Sequence, residues 1–201
     1  MAMTRFEKLF VNRQEKGDRN IETVRNRLIG LNIQNIHDVL EVGCGIGTLS
    51  AFLSSEYGMN VYGTDFDPEQ IQIAGEVYGE DDHLRFRVED AAKLTFEDAS
   101  FDLVVSQDVF HHIAVWPQAV REIARVLRLE GHLIWIDMVF PNVITKLFKP
   151  FVKTYGLYTF DEIWFEFWEN GFDERVHERL IHGPFAYHHF VLQKVCSTVQ
   201  S

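Results

Sequence analysis

Apolar and polar positions along this chain switch repeatedly between helical and strand periods. Ile21, Val24 and Leu28 recur at helical spacing, with Asp18 placed to cap that helix and Gly30 to stop it. His37 to Val42 reads as a buried strand. It runs into Gly43-Cys44-Gly45-Ile46-Gly47 and then a helix ending near Gly58. Asn60 to Thr64 is a second strand, and Asp67-Pro68 starts a helix with proline in its first turn, reaching about Gly79. Leu84 to Val88 and Phe101 to Ser106 are the third and fourth strands. Pro117 opens a helix whose apolar stripe is Val120, Ile123, Ala124 and Leu127, with Gly131 as its stop, and His132 to Met138 is a fifth strand.

The last third breaks this rhythm. Pro141 to Phe160 has no clean period, and Thr159-Phe160-Asp161-Glu162 has the form of a capping box for a short helix ending at Gly171. Arg175 to Leu180 and Phe185 to Gln193 read as two strands joined by a Gly183-Pro184 turn. The pattern predicts one α/β domain. Its seven-stranded sheet is mostly parallel, with an antiparallel C-terminal edge strand near Phe185 to Gln193 and helices on both faces.

Composition narrows the partners. The 201 residues suffice for one sizeable core. A formal net charge of -11 argues against a nucleic-acid partner, because phosphate contacts need clustered Lys and Arg. Two distant cysteines, Cys44 and Cys196, make no disulfide framework, and reduced thiols in a cytoplasmic protein are the simpler reading. Residues 1–16 show no secretory signal, and no window approaches the ~18 apolar residues of a membrane span. No His, Cys and Asp spacing marks a metal site.

The chemistry-bearing residues cluster after the strands. A glycine loop between strand and helix is where open α/β sheets bind ligands, although a tight turn without a ligand uses the same residues. Gly43, Gly45 and Gly47 follow G-x-G-x-G, and Thr48 stands where a dinucleotide pattern wants its third glycine. Glu41, just before the loop, suits an ammonium or sulfonium better than a pyrophosphate. Asp65 ends the second strand, where a carboxylate accepts from ribose hydroxyls; Asp67 before Pro68 serves better as the helix cap. Glu89-Asp90-Ala91 offers an acidic side chain and a backbone N–H to an adenine, and Phe66 a ring to pack on it; alone, such a turn reads as solvated surface.

These segments carry a resemblance. Val39 to Gly47, Val61 to Asp65, Glu89 to Ala91, Ser100 to Ser106, Val109 to Ile113 and Glu122 to Leu127 are, in order and spacing, similar to the class I S-adenosylmethionine-dependent methyltransferases. The likeness is to the small-molecule, ubiquinone/menaquinone-type group, and it covers about half the chain. It departs at Leu129-Glu130-Gly131, where Pro-Gly-Gly is commoner. The resemblance implies a Rossmann-like fold with S-adenosyl-L-methionine as cofactor and S-adenosyl-L-homocysteine as product. It implies that Glu41, Gly43, Cys44, Gly45 and Gly47 flank the methionine part, Asp65 holds the ribose, and Phe66, Asp90 and Ala91 hold the adenine. Ser106 and Gln107 would border the methyl group, and Arg13 or Lys16 would meet the cofactor carboxylate unless they are merely solvated.

Methyl transfer is an in-line displacement that needs alignment and water exclusion, and sometimes a base. His111 and His112 are the candidate bases, with pocket shaping as the alternative, and Asp137 lies within plausible reach. His188 and His189 alternate faces of the last strand, so at most one faces a site. Residues 1–36 are expected as a helical cap, 37–138 as the cofactor-binding core, 139–171 as a substrate lid and 172–201 as the strand pair. Ten aromatics from Phe140 to Trp168 either line an apolar or aromatic acceptor pocket or pack a helix onto the sheet, and Lys146, Lys149 and Lys153 among them suit an anionic group or a membrane surface, although Pro150 breaks the helix that such binding would need. The expected partner is a small-molecule methyl acceptor, with no stable membrane insertion and the oligomeric state, monomer or homodimer, open. A cofactor-binding module without catalysis is the rival reading; a nicotinamide oxidoreductase is disfavoured by Thr48.

Overall fold

The computed structural model describes residues 14–149, 151–152, 154–182 and 185–196. Arg13, the Lys16 side chain and the Gly183-Pro184 turn lie outside the described residues. Strands β1 (Asp38–Val42), β2 (Asn60–Asp65), β3 (Leu84–Val88), β4 (Phe101–Gln107), β5 (Leu127–Val139), β6 (Phe172–His182) and β7 (Phe185–Lys194) form one sheet in the order β3-β2-β1-β4-β5-β7-β6. The first five strands pair in parallel, whereas β7 runs antiparallel to both β5 and β6. The helices are α1 (Gln14–Leu28), α2 (Thr48–Tyr57), α3 (Pro68–Tyr78), α4 (Trp116–Val126), α5 (Asn142–Phe148) and α6 (Phe160–Glu169).

The period of two sorts each central strand between two cores. Leu40, Val104, Leu133, Trp135, Phe190 and Leu192 point to one face, where they meet Val120 and Ile123 of α4 and Ile163 and Phe167 of α6. Val39, Leu103, Val105, Ile134, Ile136 and Val191 point to the other, under Val24 and Leu28 of α1, Leu49 and Leu53 of α2 and Ala74 of α3. Burial on both faces is what a parallel sheet wrapped by helices requires.

Three expectations are corrected. The outer C-terminal strand is β6, and β7 is internal: Phe190, Val191 and Leu192 are fully buried, so both faces of that strand need cover. Asp18 lies inside α1, which is already helical at Gln14. Gly131 does not stop α4. That helix ends at Val126, and Leu127 already has extended dihedrals as the first residue of β5. The register of β5 against β4 shifts between Leu127 and His132. Glu130 takes φ +66° there, and a Cβ on Gly131 would stand 2.8 Å from the Arg128 carbonyl and 3.0 Å from that of Asp102. Gly131 thus serves a close backbone approach.

Candidate active site

The carboxyl ends of β1, β2, β4 and β5 open into a cavity of about 780 Å³. Of the residues expected at a cofactor or catalytic site, it brings together Glu41, Gly43, Cys44, Gly45, Asp65, Phe66, Asp90, Ala91, Gln107, His111 and His112. Gly47 and Ser106 are not in its wall. Gly47 caps α2, and a Cβ on it would stand 2.5 Å from the Phe86 ring. Ser106 is buried behind the surface. Gly43, at φ +77°, has the Val109 side chain where its Cβ would be, at 2.1 Å. Both glycines therefore make room for protein side chains in the first place.

Asp65 locks the loop from the end of β2. Its Oδ2 accepts from the Gly45 N–H at 3.0 Å and its Oδ1 from the Asp67 N–H at 2.9 Å. Asp67 caps α3 by accepting from the Glu69 N–H, as expected of an aspartate before proline. Glu41 is buried and accepts from the Ser50 hydroxyl. Gly63 on β2 permits this, since a Cβ there would stand 2.6 Å from Ser50 Oγ. Burial pushes the Glu41 carboxyl up to about 7, with the Ser50 bond opposing and Asp65 adding a little. Burial also raises Asp65, and it holds the Cys44 thiol well above its ordinary value, which leaves that thiol inert. Neither Glu41 nor Asp65 has an ion-pair partner among the described residues. At the same wall, Gln107 donates to Asn20 Oδ1, while its buried Oε1 has no partner among the described residues.

The far side of the cavity is built on Asp137. This carboxylate at the end of β5 accepts from the Phe110 N–H at 2.7 Å, the His111 N–H at 3.3 Å and the Met138 N–H at 2.7 Å. Its Oδ1 lies 2.6 Å from His111 Nδ1. It thereby fixes both the 3-10 turn Phe110–His112 and the imidazole on it. Asp108, just before, holds φ +57°, a conformation uncommon outside glycine and frequent at functional sites. A strap at 154–158 covers the turn: the Gly156 N–H donates to the His111 carbonyl, and a Cβ on Gly156 would stand 2.3 Å from the Phe110 carbonyl.

Of the ten aromatics between 140 and 168, none is in the cavity wall. Tyr158 and Phe167 are fully buried around Trp135, and Trp164 stacks on Phe190, so this part packs the helix onto the sheet. Among the described residues of that segment, only Thr154 reaches the cavity. Neither His188 nor His189 does. His188 Nδ1 bonds His177 Nε2 at 2.7 Å, and His189 faces Arg27 on the other side. The sequence reading missed Asn20, Val109, Met138 and Tyr187 in the wall. A signal existed for one of them: β7 runs back against β5, so Tyr187 falls opposite Met138 at the open end.

Residues 40–135 match the family model described as a methyltransferase domain. The 2-methyl-6-phytyl-1,4-hydroquinone methyltransferase of Synechocystis sp. is 39% identical over 99 residues, which make 49% of this chain and 31% of that protein. The chain spans less than half the length of further curated methyltransferases that it matches. Among solved structures, a protein of Pyrococcus horikoshii superposes with TM-score 0.75 at 24% identity, covering 96% of this chain and 100% of that one. Geranyl diphosphate methyltransferase in complex with geranyl diphosphate and sinefungin superposes with TM-score 0.73 at 15% identity, covering 89% and 79%. Local sequence match and whole-domain topology agree: residues 40–135 are similar to a methyltransferase domain, and the sheet that contains them has the fold of the solved structures above.

Proposed function

We propose that this chain transfers a methyl group from S-adenosyl-L-methionine to a small, partly apolar or aromatic acceptor. The observation that carries the reading is a single cavity with two unlike ends. One end has the glycine loop, Asp65 and Asp90; the other has His111, Met138 and Tyr187. One buried and one part-buried carboxylate without counter-charges among the described residues fit a ligand that carries positive charge, and the Gln107 acceptor left unpaired among those residues fits its polar part. When bound, the cofactor supplies an electrophilic methyl group on a cationic sulfur.

The chain's own residues then have distinct tasks. Asp65 takes the ribose hydroxyls while keeping the Gly45 N–H. Phe66, half-exposed at the mouth, packs on the adenine, with Asp90 and Ala91 at its edge. His111 donates Nδ1–H to Asp137, which leaves Nε2 as the basic nitrogen able to take a proton from the acceptor. His112 borders the same space. Val109, Ile113, Val115 and Met138 exclude water around the reacting atoms. Cys44 and Cys196 are both free thiols, which supports a cytoplasmic, reducing location.

Calorimetric titration with S-adenosylmethionine, S-adenosylhomocysteine and NAD tests the cofactor end. Micromolar binding of the first two with none of NAD is expected, and binding of NAD alone overturns the reading. A screen of small phenols, amines and prenylated rings for methyl transfer then tests the acceptor end.

A further inference from the structure

From Met138 to Phe160 the sequence has three lysines (Lys146, Lys149 and Lys153) and no Asp or Glu, in a chain with 30 acidic residues. Within this stretch α5 is amphipathic the wrong way round for a helix of a closed core. Its buried residue is the polar Thr145, which back-bonds to the Pro141 carbonyl. Three of its four apolar residues face out: Val143 is 77% exposed, Leu147 60% and Phe148 48%, with Phe151 just beyond the helix at 82% and Ile144 half-buried. Val143 and Leu147, four apart, share one face of the helix, with Phe148 beside them and Phe151 in the turn that follows. Lys146 and Lys149 flank this apolar stripe, both exposed; Lys149 also reaches Glu162 at 2.6 Å.

We propose that α5 and Phe151 form a docking surface for an anionic lipid bilayer, lying in its interface without crossing it. No helix among the described residues is long and apolar enough to cross a membrane. An apolar stripe edged with lysine is what headgroup-level binding needs: the apolar side chains enter the acyl boundary and the ammonium groups meet lipid phosphates. Charge decides against a protein partner, because protein interfaces are depleted in lysine around their apolar centres. It also sets the orientation, since a chain of net charge -11 approaches an anionic surface best through the acid-free stretch 138–160, where Lys146 is exposed and Lys149 offsets the neighbouring Glu162. Three residues beyond Phe151, Thr154 is in the cavity wall, so the docked face adjoins the acceptor end. Only this last consequence, delivery of an apolar acceptor, rests on the proposed function; the surface itself does not.

The test is flotation of the full chain with vesicles of phosphatidylcholine, and of phosphatidylcholine with about a third phosphatidylglycerol. The wild type is expected on the anionic vesicles, with binding weakened by added salt. The double variant Leu147→Glu/Phe151→Glu should lose roughly tenfold or more of that binding. Its two sites are exposed, so folding should survive, and cofactor titration of the same sample reports this. Absence of wild-type binding to anionic vesicles overturns the proposal, as does a double variant that floats like wild type. Sedimentation that shows a wild-type dimer split by the double variant, with no vesicle binding, assigns the stripe to a second copy and also overturns it. Failed cofactor binding beside intact flotation would count against the proposed function alone.

Discussion

At the amino ends of β1 and β4, Arg128 reaches Asp102 at 2.6 Å and Asp38 at 2.9 Å, and Asp102 also accepts from the backbone N–H groups of His37 and Asp38. At the carboxyl ends of the same sheet, Glu41 is buried and Asp65 part-buried, each with hydrogen bonds but with no cation among the described residues. Burial raises the Asp102 carboxyl too, yet the Asp38 N–H and Arg128 outweigh it and the net shift is downward. For Glu41 and Asp65 burial wins. The amino end is thus electrostatically complete, while the carboxyl end is held ready for charge from outside.

Four measurements can break or sharpen that contrast. His111→Ala should lower kcat by roughly a hundredfold to ten-thousandfold with whichever acceptor the screen returns, and leave cofactor affinity unchanged. An unchanged kcat would reduce His111 to shaping the pocket. Glu41 gives a pH effect of defined sign. Its folded pKa of about 7 lies above the ordinary 4.5, so its neutral form stabilises the fold fully below 4.5 and this contribution is lost as pH rises through 7. The loss amounts to about 3 kcal/mol at most, and Glu41→Gln should flatten the profile in denaturant titrations of the ligand-free protein. Asp65→Ala should weaken cofactor binding at least tenfold, ~1.4 kcal/mol, by calorimetry. Arg128→Met at the opposite end should cost about 1 kcal/mol of stability, because the pair is partly exposed and screened, with the cofactor Kd unmoved. A changed Kd there would mean the two ends are coupled.

The contrast was half legible in the sequence. Strand, glycine loop and Asp65 follow from local period and turn chemistry, which do not depend on the rest of the fold. The Asp137–His111 bond joins the end of β5 to the turn after β4, and only the placing of β5 beside β4 brings those residues together. Gly131 looked like a helix stop because glycine ends helices and also permits close backbone approach, and one residue type does not separate the two uses. The order of the last two strands was readable in retrospect. Phe190-Val191-Leu192 is apolar on both faces and needs cover, whereas β6 carries Asp173, Glu174, Arg175, Glu178 and Arg179. The aromatics of 140–168 divided between core and surface, which composition alone leaves undecided.

That charged outer strand has a consequence for the molecule in company. An eleven-residue edge with open backbone groups is a template on which any extended chain can add itself. Five charged side chains, and a register irregularity between Glu174 and Val176, spoil that template. Crowding should therefore not drive these molecules into strand-swapped or fibrous assemblies through β6, and whatever associates at this edge has to read its side chains instead of extending the sheet.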